Sequence, residues 1–307
     1  MTLARLETFP ALASLYDRQI ALTPRHATAL QRRLAAASND HLAMANEIAA
    51  CVTTLAGENI NQVVRDYDWI CNAILQEELH FRRNGTYRLS SFADAVAEVY
   101  SNDELMAHYM NGLLMTQVWW SNHTAAIVFY VEKFLKGFTR PFSHLEIGPG
   151  HGMLLYLAGR EPLCEAVHAW DVSAESIEKT RHAMMKLGLK REVELHVQDI
   201  YAAPVEKQTF DSIVLSEVLE HLEHPREALG MIKPLLKENG RLFINMPVNS
   251  PAPDHLFLLK SPEVVVDFVA SCGYCIEQSQ FEPQTNMTIE QARRTQSTIT
   301  TLVIASR

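Results

Sequence analysis

Residues 144–152 read His144-Leu145-Glu146-Ile147-Gly148-Pro149-Gly150-His151-Gly152. A short apolar run leads into three alternating glycines, and a helical pattern follows at Met153–Leu157. Glycine accepts left-handed backbone and carries no Cβ. Such a turn lets main-chain amides come close to a ligand at the electropositive start of a helix. The spacing is G-x-G-x-G, whereas G-x-G-x-x-G best suits a dinucleotide pyrophosphate. Glu146, just before the loop, repels a pyrophosphate and attracts an ammonium or sulfonium group. Taken alone, the loop leaves a dinucleotide and another adenosine-bearing cofactor both open.

Outward from the loop, short apolar runs alternate with helical segments. The runs are His144–Ile147, Ala166–Asp171, Glu192–Val197, Asp211–Leu215 and Arg241–Asn245. Between them the periodicity predicts helices at Met153–Leu157, Ala174–Leu187, Arg226–Leu236 and Pro262–Ala270. Alternating β and α units predict a doubly wound, largely parallel α/β sheet. Tyr274–Phe281 and Thr298–Ile304 are two strand-like runs with no strong helix between them, which predicts an antiparallel addition at the sheet edge. The second run ends at Asp171, placed to bond a ribose diol, and the third at Gln198-Asp199-Ile200, where a carboxylate can receive an adenine amino group. The fourth leads into Ser216-Glu217. All these positions share the carboxyl edge of the sheet, where open α/β folds bind ligands.

This ordered set resembles the class I S-adenosylmethionine-dependent methyltransferases, over roughly residues 140–307. The resemblance implies a Rossmann-like sheet of seven strands whose last two form the antiparallel hairpin. It also implies that Glu146, Gly148, Gly150, Gly152, Asp171, Asp199, Ile200 and Ser216 bind the cofactor. Gly240-Arg241-Leu242-Phe243-Ile244 resembles the family's turn into strand five.

The run Ser216-Glu217-Val218-Leu219-Glu220-His221-Leu222-Glu223-His224-Pro225 matches the family's segment after strand four. If a helix begins there, Glu217, Glu220 and His221 (i, i+3, i+4) share one face. Two carboxylates and an imidazole suit a divalent ion such as Mg²⁺, Mn²⁺ or Zn²⁺, with His255 of Pro253-Asp254-His255 as a fourth ligand. The arrangement resembles metal-dependent ubiquinone-pathway O-methyltransferases and small-RNA 3′-terminal 2′-O-methyltransferases. Two other readings stay open: His221 as a metal-free general base, and a purely structural role. His224 reads as solvated, and His151 as a support of the loop.

The chain of 307 residues divides near residue 140, into 1–136 and 137–307. Helical periodicity marks Ala27–Ala37, His41–Leu55 and Asn59–Leu79. Asn84-Gly85, inside Phe81–Leu89, predicts a β-hairpin and hence a winged-helix-like element. Residues Asn61–Lys136 loosely resemble the dimerisation and substrate-capping region of small-molecule O-methyltransferases, which implies a homodimer. From Leu105 to Val131 there is no Asp, Glu, Lys or Arg. That stretch is long enough to span a bilayer, but His108, Asn111, Gln117, Ser121, Asn122 and His123 are costly in lipid. A buried helix is expected instead, with Trp119, Trp120, His123, Phe129 and Tyr130 forming a subunit interface, an apolar substrate wall or an ordinary core.

Lys and Arg number 27 against 36 Asp and Glu, a net charge of −9, which argues against a uniformly basic nucleic-acid surface. Arg82, Arg83 and Arg88 are the sole basic candidates near the expected wing. Five cysteines make no disulfide scaffold, and Cys272-Gly273-Tyr274-Cys275 reads as packing at a helix-to-strand junction. No secretory pattern is seen in MTLARLETFPALASLYDRQ, so a cytoplasmic protein is expected. The leading reading is methyl transfer to a small organic acceptor, at a hydroxyl oxygen, in biosynthesis. The alternatives are small-molecule C- or N-methylation, RNA 3′-terminal 2′-O-methylation, and a non-catalytic cofactor-binding regulator.

Overall fold

A computed structural model describes residues 5–202 and 209–307 of the chain. The C-terminal part is a seven-stranded sheet in the order β3-β2-β1-β4-β5-β7-β6. Its strands are β1 Phe142–Ile147, β2 Cys164–Asp171, β3 Val193–Val197, β4 Phe210–Ser216, β5 Leu236–Val248, β6 Cys275–Pro283 and β7 Ile299–Ser306. The first five pair in parallel, and β7 lies antiparallel between β5 and β6. The expected sheet is therefore present, with its antiparallel pair at one edge. A short helix, Ile289–Thr295, stands between β6 and β7, where none was expected.

The N-terminal part is helical: α1 Pro10–Leu22, α2 Ala27–Ala36, α3 Asn39–Ala56, α4 Ile60–Asn84, α5 Asp103–Trp119 and α6 Ser121–Phe129. The predicted hairpin at Phe81–Leu89 is not formed. Helix α4 runs through Asn84, and Gly85 caps it at φ 71°, its amide donating to the Phe81 carbonyl at 2.8 Å. A type I′ turn and a helix C-cap both need positive φ, so Asn-Gly serves either, and the long amphipathic helix before it decides. Without the hairpin there is no winged-helix element here. Arg82 and Arg88 pair instead with Glu78 and Glu77 of α4.

The uncharged stretch 105–131 is broken at Trp120 into α5 and α6, and among the described residues no helix is long and apolar enough to cross a membrane. Its polar groups are paired inside the protein. Asn122 Nδ2 donates to Thr300 Oγ1 at 3.0 Å, Thr116 Oγ1 lies 3.0 Å from His123 Nδ1, and Asp66 takes His108 and Asn111. Trp119, Phe129 and Tyr130 are fully buried within the chain. Phe129, Tyr130 and Phe134 surround Phe243 of β5, with ring centroids 5.1–6.4 Å away. Trp119, Phe129 and Tyr130 are thus core within the chain, while Trp120 is half-buried. One apolar cluster runs from Leu6 and Leu12 through Phe134 to Phe142, Val214, Phe243 and Ile304, joining the helices to one face of the sheet. The cysteines are free; Cys272 ends helix Pro262–Ser271 and Cys275 opens β6, as a junction role requires.

Candidate functional site

The glycine loop joins β1 to helix α7 (Met153–Arg160). Gly148, Gly150 and Gly152 take φ values of 67°, 51° and 74°. A Cβ at Gly148 would sit 2.9 Å from Val218 Cγ2, and one at Gly152 would sit 2.7 Å from Met184 Cε. The backbone sign favours glycine at both positions, and at Gly148 the nearby Val218 adds a steric reason, whereas at Gly152 the flexible end of Met184 can give way. The loop amide of Gly148 donates to the Trp170 carbonyl at 2.8 Å, tying it to the end of β2. His151 Nδ1 accepts from the Met153 amide at 3.2 Å, which caps the start of α7 and fits the support role expected of it.

Glu146 is buried, its Oε2 has no hydrogen-bond partner, and burial pushes its carboxyl well above the ordinary range. A lone buried carboxyl beside a glycine loop is a poor stabiliser and a ready partner for a cation. Asp171 ends β2; its Oδ1 accepts from the Ser173 amide at 2.9 Å and its Oδ2 from Ser176 Oγ at 2.6 Å. Asp199 is exposed beyond β3 and accepts from the Tyr201 amide at 2.9 Å, while Ile200 beside it is buried in the second apolar cluster. Ser216 ends β4 and accepts from Asn245 Nδ2 at 3.0 Å. The topology thus brings the eight expected cofactor contacts to the carboxyl ends of β1–β4.

The segment after β4 differs from the expected helix. Glu217 has φ 54°, Val218 is non-helical, and a single 3₁₀ turn covers Leu219–His221. Even so, Glu220, His221 and His255 come together, each with a ligand atom within 4.8 Å of the others. The rings of His221 and His255 stand perpendicular with centroids 4.8 Å apart. Glu217 lies outside this close trio but near enough that its charge helps push Glu220 up. Burial is the main cause, and it raises both carboxyls; both Glu220 oxygens and Glu217 Oε1 lack a hydrogen-bond partner.

The two histidines are oriented from behind. His255 Nδ1 lies 2.6 Å from the Ser250 carbonyl, and His221 Nδ1 lies 3.2 Å from the Asp254 carbonyl. A ring nitrogen facing a carbonyl carries the proton, which leaves Nε2 of each ring with its lone pair. Burial, then the neighbouring His221, lowers His255 to about 4. The carrier loop is locked to the 3₁₀ turn, because the Glu220 carbonyl accepts from the Leu256 and Phe257 amides at 2.8 and 2.9 Å.

Three residues escaped the sequence reading. Asp254 is buried, and it accepts from Tyr109 Oη at 2.6 Å and Tyr100 Oη at 3.1 Å. Its Oδ2 also lies 3.4 Å from His221 Nδ1. Burial opposes its charge, but His221, His255 and the two hydroxyls outweigh that and hold it below the ordinary range. The only sequence signal was its place beside His255. The tyrosines lie 154 and 145 residues away in the chain.

Residues 119–270 match the family described as "Methyltransferase domain". The chain carries a class I S-adenosylmethionine-dependent methyltransferase domain. No functionally curated protein matches the sequence. Among solved structures, Burkholderia thailandensis 1,6-didemethyltoxoflavin-N1-methyltransferase, with bound 1,6-didemethyltoxoflavin and S-adenosylhomocysteine, is similar at TM-score 0.51. Its identity is 15%, and the match covers 71% of this chain and 91% of that one. The 4+2 cyclase SpnF matches at TM-score 0.50 and 15% identity, covering 62% and 82%. At such identities the likeness concerns the fold of the methyltransferase domain.

Proposed function

We propose that the protein moves the methyl group of S-adenosylmethionine to a hydroxyl oxygen of a small organic acceptor, beside Glu217, Glu220, His221 and His255. The observation that carries this reading is the trio of buried Glu220, half-buried His221 and buried His255, with both Glu220 oxygens unpartnered. Two carboxylates with two imidazoles suit Mg²⁺, Mn²⁺ or Zn²⁺. Glu220, His221 and His255, with Glu217 beside them, would hold such an ion, which would make a nearby hydroxyl more acidic and position it.

The chain's own residues have clear tasks in this reading. The glycine loop and Asp171 hold the donor by its main chain and ribose, Asp199 and Ile200 flank the adenine, and Ser216 closes the loop end. Glu146 faces the donor's positive charge. The methyl leaves a sulfonium and needs no acid, so the protein must align the reactants, exclude water and remove one proton. With an ion bound, both ring nitrogens of His221 would be engaged, Nδ1 by Asp254 and Nε2 by the ion; without one, His221, backed by Asp254, is the base within reach. Of the three arginines named near the expected wing, Arg82 and Arg88 pair with Glu78 and Glu77, which counts against a nucleic-acid surface there. The Burkholderia relative acts on a small heterocycle, in keeping with a small acceptor here.

With isotopically labelled donor and a panel of phenols, catechols and alcohols, the label should appear on oxygen and fall after chelation. Label on nitrogen or carbon instead would overturn the oxygen assignment. Unchanged turnover after chelation would remove the ion. Donor consumption of zero, with rearranged product, would favour chemistry of the cyclase kind on the same fold.

Glu146 gives a pH prediction. Its carboxyl is raised in the free protein, so it binds a proton there. A bound sulfonium favours the charged form, so binding releases that proton and affinity rises as pH rises through its range, by about tenfold per pH unit at most. Calorimetry in buffers of different ionisation heat should detect the release, and Glu146→Gln should abolish both the release and the slope. A slope that survives the substitution belongs to another group.

A further inference from the structure

The sheet ends on β3, and its outer face holds a second group of metal-ligating side chains. His168 of β2 stands opposite Glu194 of β3 in the parallel register. His196 is two residues along β3, so it shares the face of Glu194. The alternate residues Val193 and Leu195 pack on the first apolar cluster, so the three polar side chains occupy the opposite face.

Glu194 Oε2 lies 3.4 Å from His168 Nδ1 and 3.8 Å from His196 Nε2. Both separations are long for a hydrogen bond. A tetrahedral ion with bonds of about 2.0–2.1 Å places its ligand atoms about 3.3–3.4 Å apart. All three donor atoms lie within 4.8 Å of one another, so they surround a point near coordination distance from each. The His168 ring rests edge-on against Phe210, centroids 5.1 Å apart, so one ligand is already fixed in place.

We propose that His168, Glu194 and His196 form a second metal site, for a borderline divalent ion such as Zn²⁺, that clips edge strand β3 to β2. Two imidazoles and one carboxylate are a ligand set that zinc accepts, and three protein ligands leave a position for water. None of the three is among the residues assigned to the donor or to the Glu220 trio, so the site is assigned to structure rather than to methyl transfer. An unpaired edge strand is otherwise a template for pairing with another chain.

The test uses the full chain and Zn²⁺ alone. His221→Ala with His255→Ala silences the other cluster. In that background, equilibrium dialysis should find a single Zn²⁺ per chain, and saturating Zn²⁺ should raise the melting temperature. Adding His196→Ala should weaken binding on the order of tenfold or more and remove the rise in melting temperature. Glu194→Gln should weaken it too. Absence of Zn²⁺ in the silenced background, or binding that His196→Ala leaves unchanged, overturns the site and leaves a charged edge whose role is only to deter pairing. If the silenced protein fails to fold, His196→Ala alone decides: its ring is 54% exposed, and the variant must lose one of the ions the unaltered chain binds.

Discussion

Glu220→Gln is expected to lower methyl transfer by about 10²–10⁴-fold while leaving donor affinity unchanged. The substitution keeps the size of the side chain and its place in the 3₁₀ turn, and it keeps the main-chain carbonyl that binds Leu256 and Phe257. What it removes is an ionisable carboxyl whose oxygens have no hydrogen-bond partner in the fold. Both Glu220 oxygens are buried without a hydrogen-bond partner, and burial with the nearby Glu217 pushes the carboxyl up. A group of that kind costs stability, so with chelator present the same variant should melt as high as the unaltered protein or higher. Activity lost while that metal-free stability is kept separates a chemical role from a packing role. A variant that keeps full turnover, or that loses activity and metal-free stability together, places Glu220 in the structure and not in the chemistry. His255→Ala should show the activity loss as well, but it breaks the bond to Ser250 and so lacks the clean stability arm.

Phe243→Ala should destabilise the protein by about 3–5 kcal/mol, measured as a fall in the urea midpoint. Phe243 is 1% exposed, and its ring is surrounded by Phe129, Tyr130 and Phe134 of the helical part. The cavity lies where β5 meets those helices, so it cannot collapse without moving either the sheet or the helices. A loss below about 1 kcal/mol would mean that the helical part closes over the gap, and that this joint is softer than its packing indicates.

The sheet was legible because its signals are local. Each strand expected from an apolar run lies within the observed one or within two residues of its bounds, and the glycines of the loop carry the positive φ that their spacing predicts. Two misreadings have physical causes. Asn84-Gly85 signals positive φ, and a helix cap uses that conformation as readily as a hairpin does. The segment after β4 shows helical spacing at Glu217, Glu220 and His221, but Glu217 turns left-handed and the helix shrinks to one turn. The trio forms all the same, because the loop bearing His255 is tied to Glu220 by two main-chain bonds. The parts that stayed hidden depend on distance along the chain. That Tyr109 of α5 and Tyr100 of the segment just before it would reach Asp254 follows from long-range packing, and no local pattern reports it.

The single apolar cluster shared by helices and sheet has a consequence for how this protein can be altered. A catalytic half cut away near residue 137 would present Phe142, Phe243 and Ile304 to solvent and would free Asp254 from both hydroxyls that steady it. The two halves are therefore poor building blocks for chimeras. A change of acceptor preference is better sought by substituting residues of α5 in place than by exchanging the helical region wholesale.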